Sequence, residues 1–361
     1  MSSLLPGPAV SPDTGQLALR LAKQIEGSGP ISVAEYMRAA NEEYYGSGDP
    51  FGIDGDFITA PEISQMFGEL VGMWLTDLWM RKNSPAGCHY VEFGPGRGTL
   101  AADALRAMTR FDFAPSVHFV ETSDALRAKQ AANAPSAVFH DSLATLPTDG
   151  PLLVIANEFF DALPVRQLIL THAGWRERVV VRDRGTKFAA MPGSSAMDAA
   201  VPEALRNSPV GSIFESAPDS TGIMYEIATR IARQGGAMLV VDYGYAQPGL
   251  GSTLQAVKAH AYADPFLDPG TCDLTAHVNF LELENMARMH QLEVKGPTAQ
   301  GMWLSALGIQ QRAAMLVEAT PERADEIHAA RDRLVKAGEM GTLFKVMAVH
   351  SPDWPVPEGF G

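Results

Sequence analysis

Three glycines fall at alternate positions in the stretch YVEFGPGRGTL: Gly94, Gly96 and Gly98, between a run with strand character and one with helix character. A turn free of Cβ atoms lets backbone approach a ligand, and the following helix offers unpaired N–H groups at its start, so such turns hold nucleotide-like molecules. Spacing selects among those ligands. The dinucleotide fingerprint reads G-x-G-x-x-G, whereas G-x-G-x-G brings the helix start nearer the ligand and leaves less room for a pyrophosphate. No Gly-Lys-Ser or Gly-Lys-Thr occurs, so the lysine that cradles a triphosphate is missing. Glu121, at the end of the next strand-like run SVHFVE, is a carboxylate able to accept both hydroxyls of a ribose. The alternative is that the glycines only tighten a strand-to-helix turn and Glu121 is a solvated strand end.

The elements that must position these groups follow from the hydrophobic pattern. From His89 onward strands and helices alternate: a strand to Phe93, a helix from Thr99 to Thr109, SVHFVE, the helix SDALRAKQAA, AVFH and the apolar PLLVIAN. Repeated strand–helix units imply a parallel sheet covered by helices on both faces. The segment RQLILTHAGWRERVVVRDRGTKFAAMP interrupts with the alternation of an antiparallel hairpin. A helix near Met224 to Arg233 and the strand AMLVVDYGY resume the sheet, and a polar segment from Ala246 to about Thr275 reads as irregular. The helix FLELENMARMH, the strand QLEVKG, helices to Lys336 and a last strand TLFKVMAVH complete the chain.

Ahead of the sheet, Leu17 to Tyr45 reads as two helices, the second opened by a capping box of Ser32 and Glu35. A glycine-, aspartate- and proline-rich stretch then runs to Pro61, which can start a helix through Trp79. The expected organisation is a helical cap over residues 1–84, to which the resemblance described below adds the role of a cofactor lid, and a core over 85–361 with insertions near 166–220, 246–280 and 301–340.

Composition narrows the partners. The 361 residues are 46% hydrophobic and carry a net charge of −14, which argues against a broad nucleic-acid surface. No run approaches the roughly 20 apolar residues of a membrane span. Only Cys88 and Cys272 are present, too few for a disulfide framework or a closed zinc site, and no metal is expected. The start, MSSLLPGPAVSPDTG, resembles neither a secretory signal nor a transit peptide. A bacterial cytoplasm is the expected compartment, or the mitochondrial matrix in a eukaryote. Oligomeric state is not legible.

VEFGPGRGTL looks like motif I of class I S-adenosylmethionine-dependent methyltransferases. Together with GDFITAPEISQMFGEL, NEFFDALPVRQ, VVDYGY and DLTAHVNF it makes the chain resemble the MidA-like family, which includes a mitochondrial complex I assembly factor that methylates an arginine of a core subunit. The resemblance implies a Rossmann-like class I α/β fold, with a seven-stranded, mostly parallel sheet and an antiparallel last strand. It implies S-adenosyl-L-methionine as cofactor, S-adenosyl-L-homocysteine as product, and a core subunit of complex I (NADH-quinone oxidoreductase) as protein partner. Carried over by position, Glu92 and Asn157 lie at the methionine moiety, the three glycines pass under the sulfonium nucleoside, Glu121 holds the ribose, and Asp141 with Ser142 sit at the adenine edge. Phe57, Thr59, Pro61, Glu62 and Glu69 belong to the family's most distinctive stretch, expected to fold over the cofactor, with Thr59 and Pro61 in contact. Asp141 and Ser142 could instead cap the next helix, and Glu92 could be a buried structural carboxylate.

Methyl transfer from a sulfonium is an in-line displacement, so the protein must mainly align the acceptor. An arginine acceptor stays charged and is gripped by carboxylates. In NEFFD, Glu158 and Asp161 offer those carboxylates, with Phe159 and Phe160 between them as aromatic faces. The phenylalanines could equally be core residues and Asp161 a helix cap. His277 in DLTAHVNF is a candidate proton acceptor or part of the substrate channel. Two rival readings are a nicotinamide-dependent dehydrogenase, disfavoured by the glycine spacing, and a non-catalytic assembly chaperone that keeps the cofactor site.

Overall fold

The structure, a computed structural model, describes residues 14–46, 59–247, 249–258 and 261–360. Its contacts form two units: Met1–Gly48, Pro164–Ala217 and Gly249–Ala276 make one, and Asp49–Leu163, Pro218–Pro248 and His277–Gly361 the other. The helix Gln65–Arg81, assigned to the cap on sequence grounds, thus packs within the second unit.

The first unit is built on short antiparallel sheets. Helices Thr14–Ser28 and Val33–Gly46 bury Leu17, Leu21, Tyr36 and Met37 with Val180, Phe188 and Leu274. The capping box is formed: Glu35 Oε2 accepts from the Ser32 N–H at 2.7 Å, and the Glu35 N–H donates to Ser32 Oγ at 3.1 Å. The expected hairpin is a larger sheet, in which Gly174–Arg182 lies between Arg166–Thr171 and both Ile31–Ser32 and Phe188–Ala196, with Ile213–Ser216 at the far edge. The polar segment read as irregular contains strands: Gln255–Lys258 pairs antiparallel with Ala261–Ala263 and with Asp273–Thr275. These runs of three or four residues are too short to show a period of two.

The second unit carries the central sheet. Its strands are β1 (His89–Phe93), β2 (Ser116–Val120), β3 (Val138–His140), β4 (Leu152–Asn157), β5 (Gly236–Tyr245), β6 (Glu293–Ala299) and β7 (Phe344–His350), in the order β6-β7-β5-β4-β1-β2-β3. Strands β1 to β5 are parallel to one another, and β7 runs antiparallel to both β5 and β6. These seven make the expected sheet with an antiparallel last strand, and a two-residue strand, Val278–Asn279, adds to it by pairing in parallel with the end of β5. The order reverses between β1 and β4, and ligands of such sheets bind at the carboxyl ends of the strands flanking that point.

Successive side chains of a strand point to opposite faces, which divides the core. Tyr90, Leu153, Ile155, Leu239 and Val241 join a layer with Phe67, Trp74 and Leu100. Val91, Phe93, Val154, Ala156 and Met238 join another with Met224, Ile227 and Phe280. The helix expected from Pro61 to Trp79 is two helices, Ala60–Ile63 and Gln65–Arg81, because Ser64 is extended (φ −163°, ψ 138°) and its side chain accepts from the Met66 N–H to cap the second. Gln65–Arg81 lies tight against Thr99–Met108: a Cβ on Gly72 would fall onto the Ala104 carbonyl, so glycine is what permits that approach.

Three buried histidines cross β1, β2 and β3 in a line. The Thr145 hydroxyl donates to the Ser142 carbonyl at 3.2 Å, so its oxygen accepts from His140 Nδ1–H at 2.8 Å. That orients the chain: His140 Nε2 accepts from His118 Nδ1–H, and His118 Nε2 from His89 Nδ1–H, each at 3.0 Å. Burial, with the neighbouring histidines, pushes His118 down to about 4. An unfolded histidine binds its proton near pH 6.5, so between about 6.5 and 4 the unfolded chain holds the extra proton and stability falls as pH falls. We expect His118→Leu to lose this acid-side dependence, of order 1–3 kcal/mol, checked by urea midpoints at pH 7 and 4.5 for both proteins. A wild-type slope in the variant would contradict it.

Candidate active site

The glycine turn follows β1. Gly94, Gly96 and Gly98 have φ of 54°, 55° and 80°, a left-handed backbone in which a side chain is strained. The Gly94 N–H donates to the Val120 carbonyl at 3.0 Å and the Gly98 N–H to the Pro95 carbonyl at 2.7 Å, binding the turn to β2 and closing it on itself. Gly98 is the N-cap of Thr99–Met108.

A cavity opens over this turn, walled by Thr59, Pro61, Glu62, Glu92, Gly94, Gly96, Asn157 and Glu158 among others. The short helix Ala60–Ile63 is fastened to the turn, since the Thr99 hydroxyl donates to Glu62 Oε1 at 2.5 Å and Arg97 pairs with Glu62 at 3.6 Å. Glu92 accepts from the Tyr90 hydroxyl at 2.6 Å, and burial pushes its carboxyl up to about 8. Glu158 Oε1 accepts from the Ala60 N–H at 3.2 Å and from Asn157 Nδ2 at 3.4 Å. Burial, then the nearby Asp161, pushes Glu158 up to about 8. Its φ of 49° is unusual for a side chain of this length, and strain of this kind collects at functional positions. Asn157 Oδ1 is buried with no hydrogen-bond partner.

A second cavity, of ≈ 370 Å³, also borders Gly94 and is walled by Glu121, Asp141, Ser142, Leu143, Phe159 and Ile223, among others. Glu121 Oε1 accepts from the Thr122 and Ser123 N–H groups at 2.8 Å each, and Oε2 from Gln130 Nε2 at 3.1 Å. Arg127 pairs with Asp141 at 2.5 Å.

Of the sequence-derived residues, Thr59, Pro61, Glu92, Gly94, Gly96, Asn157 and Glu158 share the first cavity, and Glu121, Asp141 and Ser142 the second. Gly98, Asp161 and His277 line neither. Asp161 is buried, hydrogen-bonded by the side chain of Tyr243, and pushed up to about 6 by burial. His277 stacks edge-on against Tyr243 at 5.6 Å between ring centroids. Phe57 lies outside the described residues. Glu69 is a structural anchor: burial pushes its carboxyl up, but hydrogen bonds from Arg312 and Arg106 outweigh this and hold it below the usual range.

Sequence reasoning missed Asp242, Gln130, Arg127 and Asn133. Buried Asp242 accepts from the Phe160, Asp161 and Tyr243 N–H groups at 3.0, 3.2 and 2.9 Å, holding the turn that carries Glu158. Burial, then Asp161 and Glu158, carries its carboxyl well above the usual range. An acid ending the apolar run AMLVV was the available signal.

The site fits a sulfonium nucleoside. An ammonium can donate to the orphaned Asn157 oxygen beside Glu92, a ribose diol can donate to Glu121, and a heterocycle can lie among Phe159, Leu143 and Ile223. Glu121→Ala is therefore expected to weaken S-adenosyl-L-homocysteine binding by about 1–3 kcal/mol in calorimetric titration, and wild-type affinity would contradict this placement.

The family model for S-adenosyl-L-methionine-dependent methyltransferases matches residues 70–298. The chain is 36% identical to a Drosophila melanogaster protein named protein arginine methyltransferase NDUFAF7 homolog, mitochondrial, covering 95% of this chain and 88% of the relative. It is 35% identical to human protein arginine methyltransferase NDUFAF7, mitochondrial, covering 95% and 85%. A Burkholderia thailandensis protein crystallised with S-adenosyl-homocysteine superposes with a TM-score of 0.83 at 27% identity, covering 99% of this chain and 97% of that one. The fold, the site and these likenesses agree: the chain belongs to this family of S-adenosyl-L-methionine-dependent methyltransferases.

Proposed function

We propose that this methyltransferase acts on an arginine side chain of a protein, with Glu158 as the carboxylate that orients the guanidinium. The observation that carries the reading is the position of Glu158, a carboxylate on a strained backbone in the wall of the cavity that Glu92 and the glycine turn also border. The arginine methyltransferase names of the relatives support the acceptor class. The cofactor supplies an activated methyl on its sulfonium. The chain's residues then divide the work: Asn157 and Glu92 hold the amino acid end, Glu121 the ribose, and Asp141 and Ser142 the adenine edge. Glu158 lines up a guanidinium nitrogen and receives the proton that nitrogen releases. Asp161 stands behind it as a buried second acid, and His277 packs against Tyr243, whose side chain hydrogen-bonds Asp161.

The family resemblance points to a core subunit of complex I as the methylated protein, in the bacterial cytoplasm or, in a eukaryote, the mitochondrial matrix, and the relatives are named as mitochondrial proteins. No helix among the described residues is long and apolar enough to cross a membrane. Mass spectrometry of complex I core subunits from cells with and without this gene tests the assignment. A methylated arginine present only with the gene supports it, and identical methylation patterns contradict it.

A further inference from the structure

The helix Asp124–Asn133 buries only Leu126 and Gln130, and Gln130 is 0% exposed. A fully buried glutamine on a ten-residue surface helix needs partners to offset its desolvation. Gln130 Nε2 donates to the Gly96 carbonyl at 2.8 Å and to Glu121 Oε2 at 3.1 Å. One amide nitrogen therefore joins the glycine turn after β1 to the carboxylate after β2. Residues three apart share a helix face, and the neighbours on this face reach the same cradle. Arg127 Nε donates to the Glu121 carbonyl at 2.9 Å, and Asn133 Nδ2 to the Arg97 carbonyl at 2.8 Å. Backbone comes equally close: a Cβ on Gly98 would meet Gln130 Cα at 3.3 Å.

We propose that Gln130 is a positioning residue for cofactor recognition, setting the Glu121 carboxylate and the Gly96 backbone in one fixed relation. The inference rests on Glu121 as the ribose ligand. Thr122 and Ser123 hold Oε1 of Glu121, and Gln130 holds Oε2. Without Gln130 the carboxylate can turn about its last torsion, and the Gly96 carbonyl loses its amide partner inside the protein. A diol that donates to both oxygens then meets a group that must be ordered on binding. The consequence falls on cofactor affinity and leaves the reacting centre alone.

The test measures S-adenosyl-L-homocysteine affinity by calorimetry for Gln130→Leu, Gln130→Glu, Glu121→Ala and the Gln130→Leu/Glu121→Ala pair, with thermal unfolding and steady-state kinetics on the same preparations. Gln130→Leu is expected to raise Kd and cofactor KM about tenfold with kcat at saturating cofactor within about twofold of wild type. Gln130→Glu keeps the shape but sets an acceptor against Glu121 and the Gly96 carbonyl, so its affinity loss should be at least as large, which keeps the idea testable if the leucine variant does not fold. Because Gln130 acts through Glu121, adding Gln130→Leu to Glu121→Ala should raise Kd less than about threefold further. Equal fold losses in both backgrounds would make Gln130 a packing residue and overturn the proposal, as would wild-type affinity in either Gln130 variant. Wild-type affinity for Glu121→Ala would remove the ribose assignment and the proposal together. A weakened Glu121→Ala beside unaffected Gln130 variants would overturn the proposal alone.

Discussion

Replacing Gly96 with valine is expected to abolish binding of S-adenosyl-L-methionine and S-adenosyl-L-homocysteine, raising Kd at least about 100-fold while the protein remains folded. Two costs add. Gly96 has a φ of 55°, where a β-branched residue is strained by about 1–3 kcal/mol, so the turn will shift to escape it. Gly96 also lines the cavity, so the added methyl groups occupy space that a ligand must pass. Any movement of the turn further disturbs the Gly96 carbonyl that Gln130 holds at 2.8 Å. Gly96→Ala, with the strain but less bulk, should fall between the two proteins. Calorimetry with unfolding temperature as control checks this, and NAD should bind neither wild type nor variant. A folded Gly96→Val protein with unchanged affinity would show that the turn does not cradle the cofactor.

Glu158→Gln is expected to lower methyl transfer by about 10²–10³-fold while cofactor affinity stays within about threefold of wild type. The amide keeps the carbonyl that accepts from the Ala60 N–H at 3.2 Å, so the segment carrying Thr59 and Pro61 retains its tether. What disappears is the charge that orients a guanidinium and the group that takes its proton. The variant should also change the pH profile. Burial pushes the Glu158 carboxyl up to about 8, so in the free enzyme it becomes ionised only as pH rises toward that value. Activity at low substrate should therefore climb with pH and level off above about 8, and Glu158→Gln should lose that limb. Loss of cofactor binding and methylation together would mean that Glu158 serves the cofactor instead. Near-normal methylation would pass the acceptor role to Asp161.

The sheet and the turn were legible because both rest on local pattern. The apolar run of β4 is buried along five residues and ends at Asn157, as expected of a central parallel strand. The three glycines form the strand-to-helix turn that their spacing suggested, and all three take a left-handed backbone there. Ser64 was harder to read. It lies inside an apolar repeat that continues on both sides, and only its extended backbone shows that it ends one helix and caps the next. Long-range hydrogen bonds left no local trace. Gln130 reaches a carbonyl 34 residues earlier in the chain, and Asp242 holds amides about 80 residues away, so no spacing rule connects them. Glu158 and Asp161 were both candidate carboxylates in NEFFD, and of the two the structure places only Glu158 in the wall of the cavity.

On the proposed function, this protein moves a methyl group from S-adenosyl-L-methionine to an arginine of a protein. The most direct measurement is a single-turnover reaction with S-adenosyl-L-methionine carrying a deuterated methyl and purified complex I core subunits, read by peptide mass spectrometry for wild type and Glu158→Gln side by side. Wild type is expected to place the heavy methyl on an arginine nitrogen with S-adenosyl-L-homocysteine formed in step, and Glu158→Gln to give little of either. Tight cofactor binding with no labelled arginine, or label on another residue type, would contradict it.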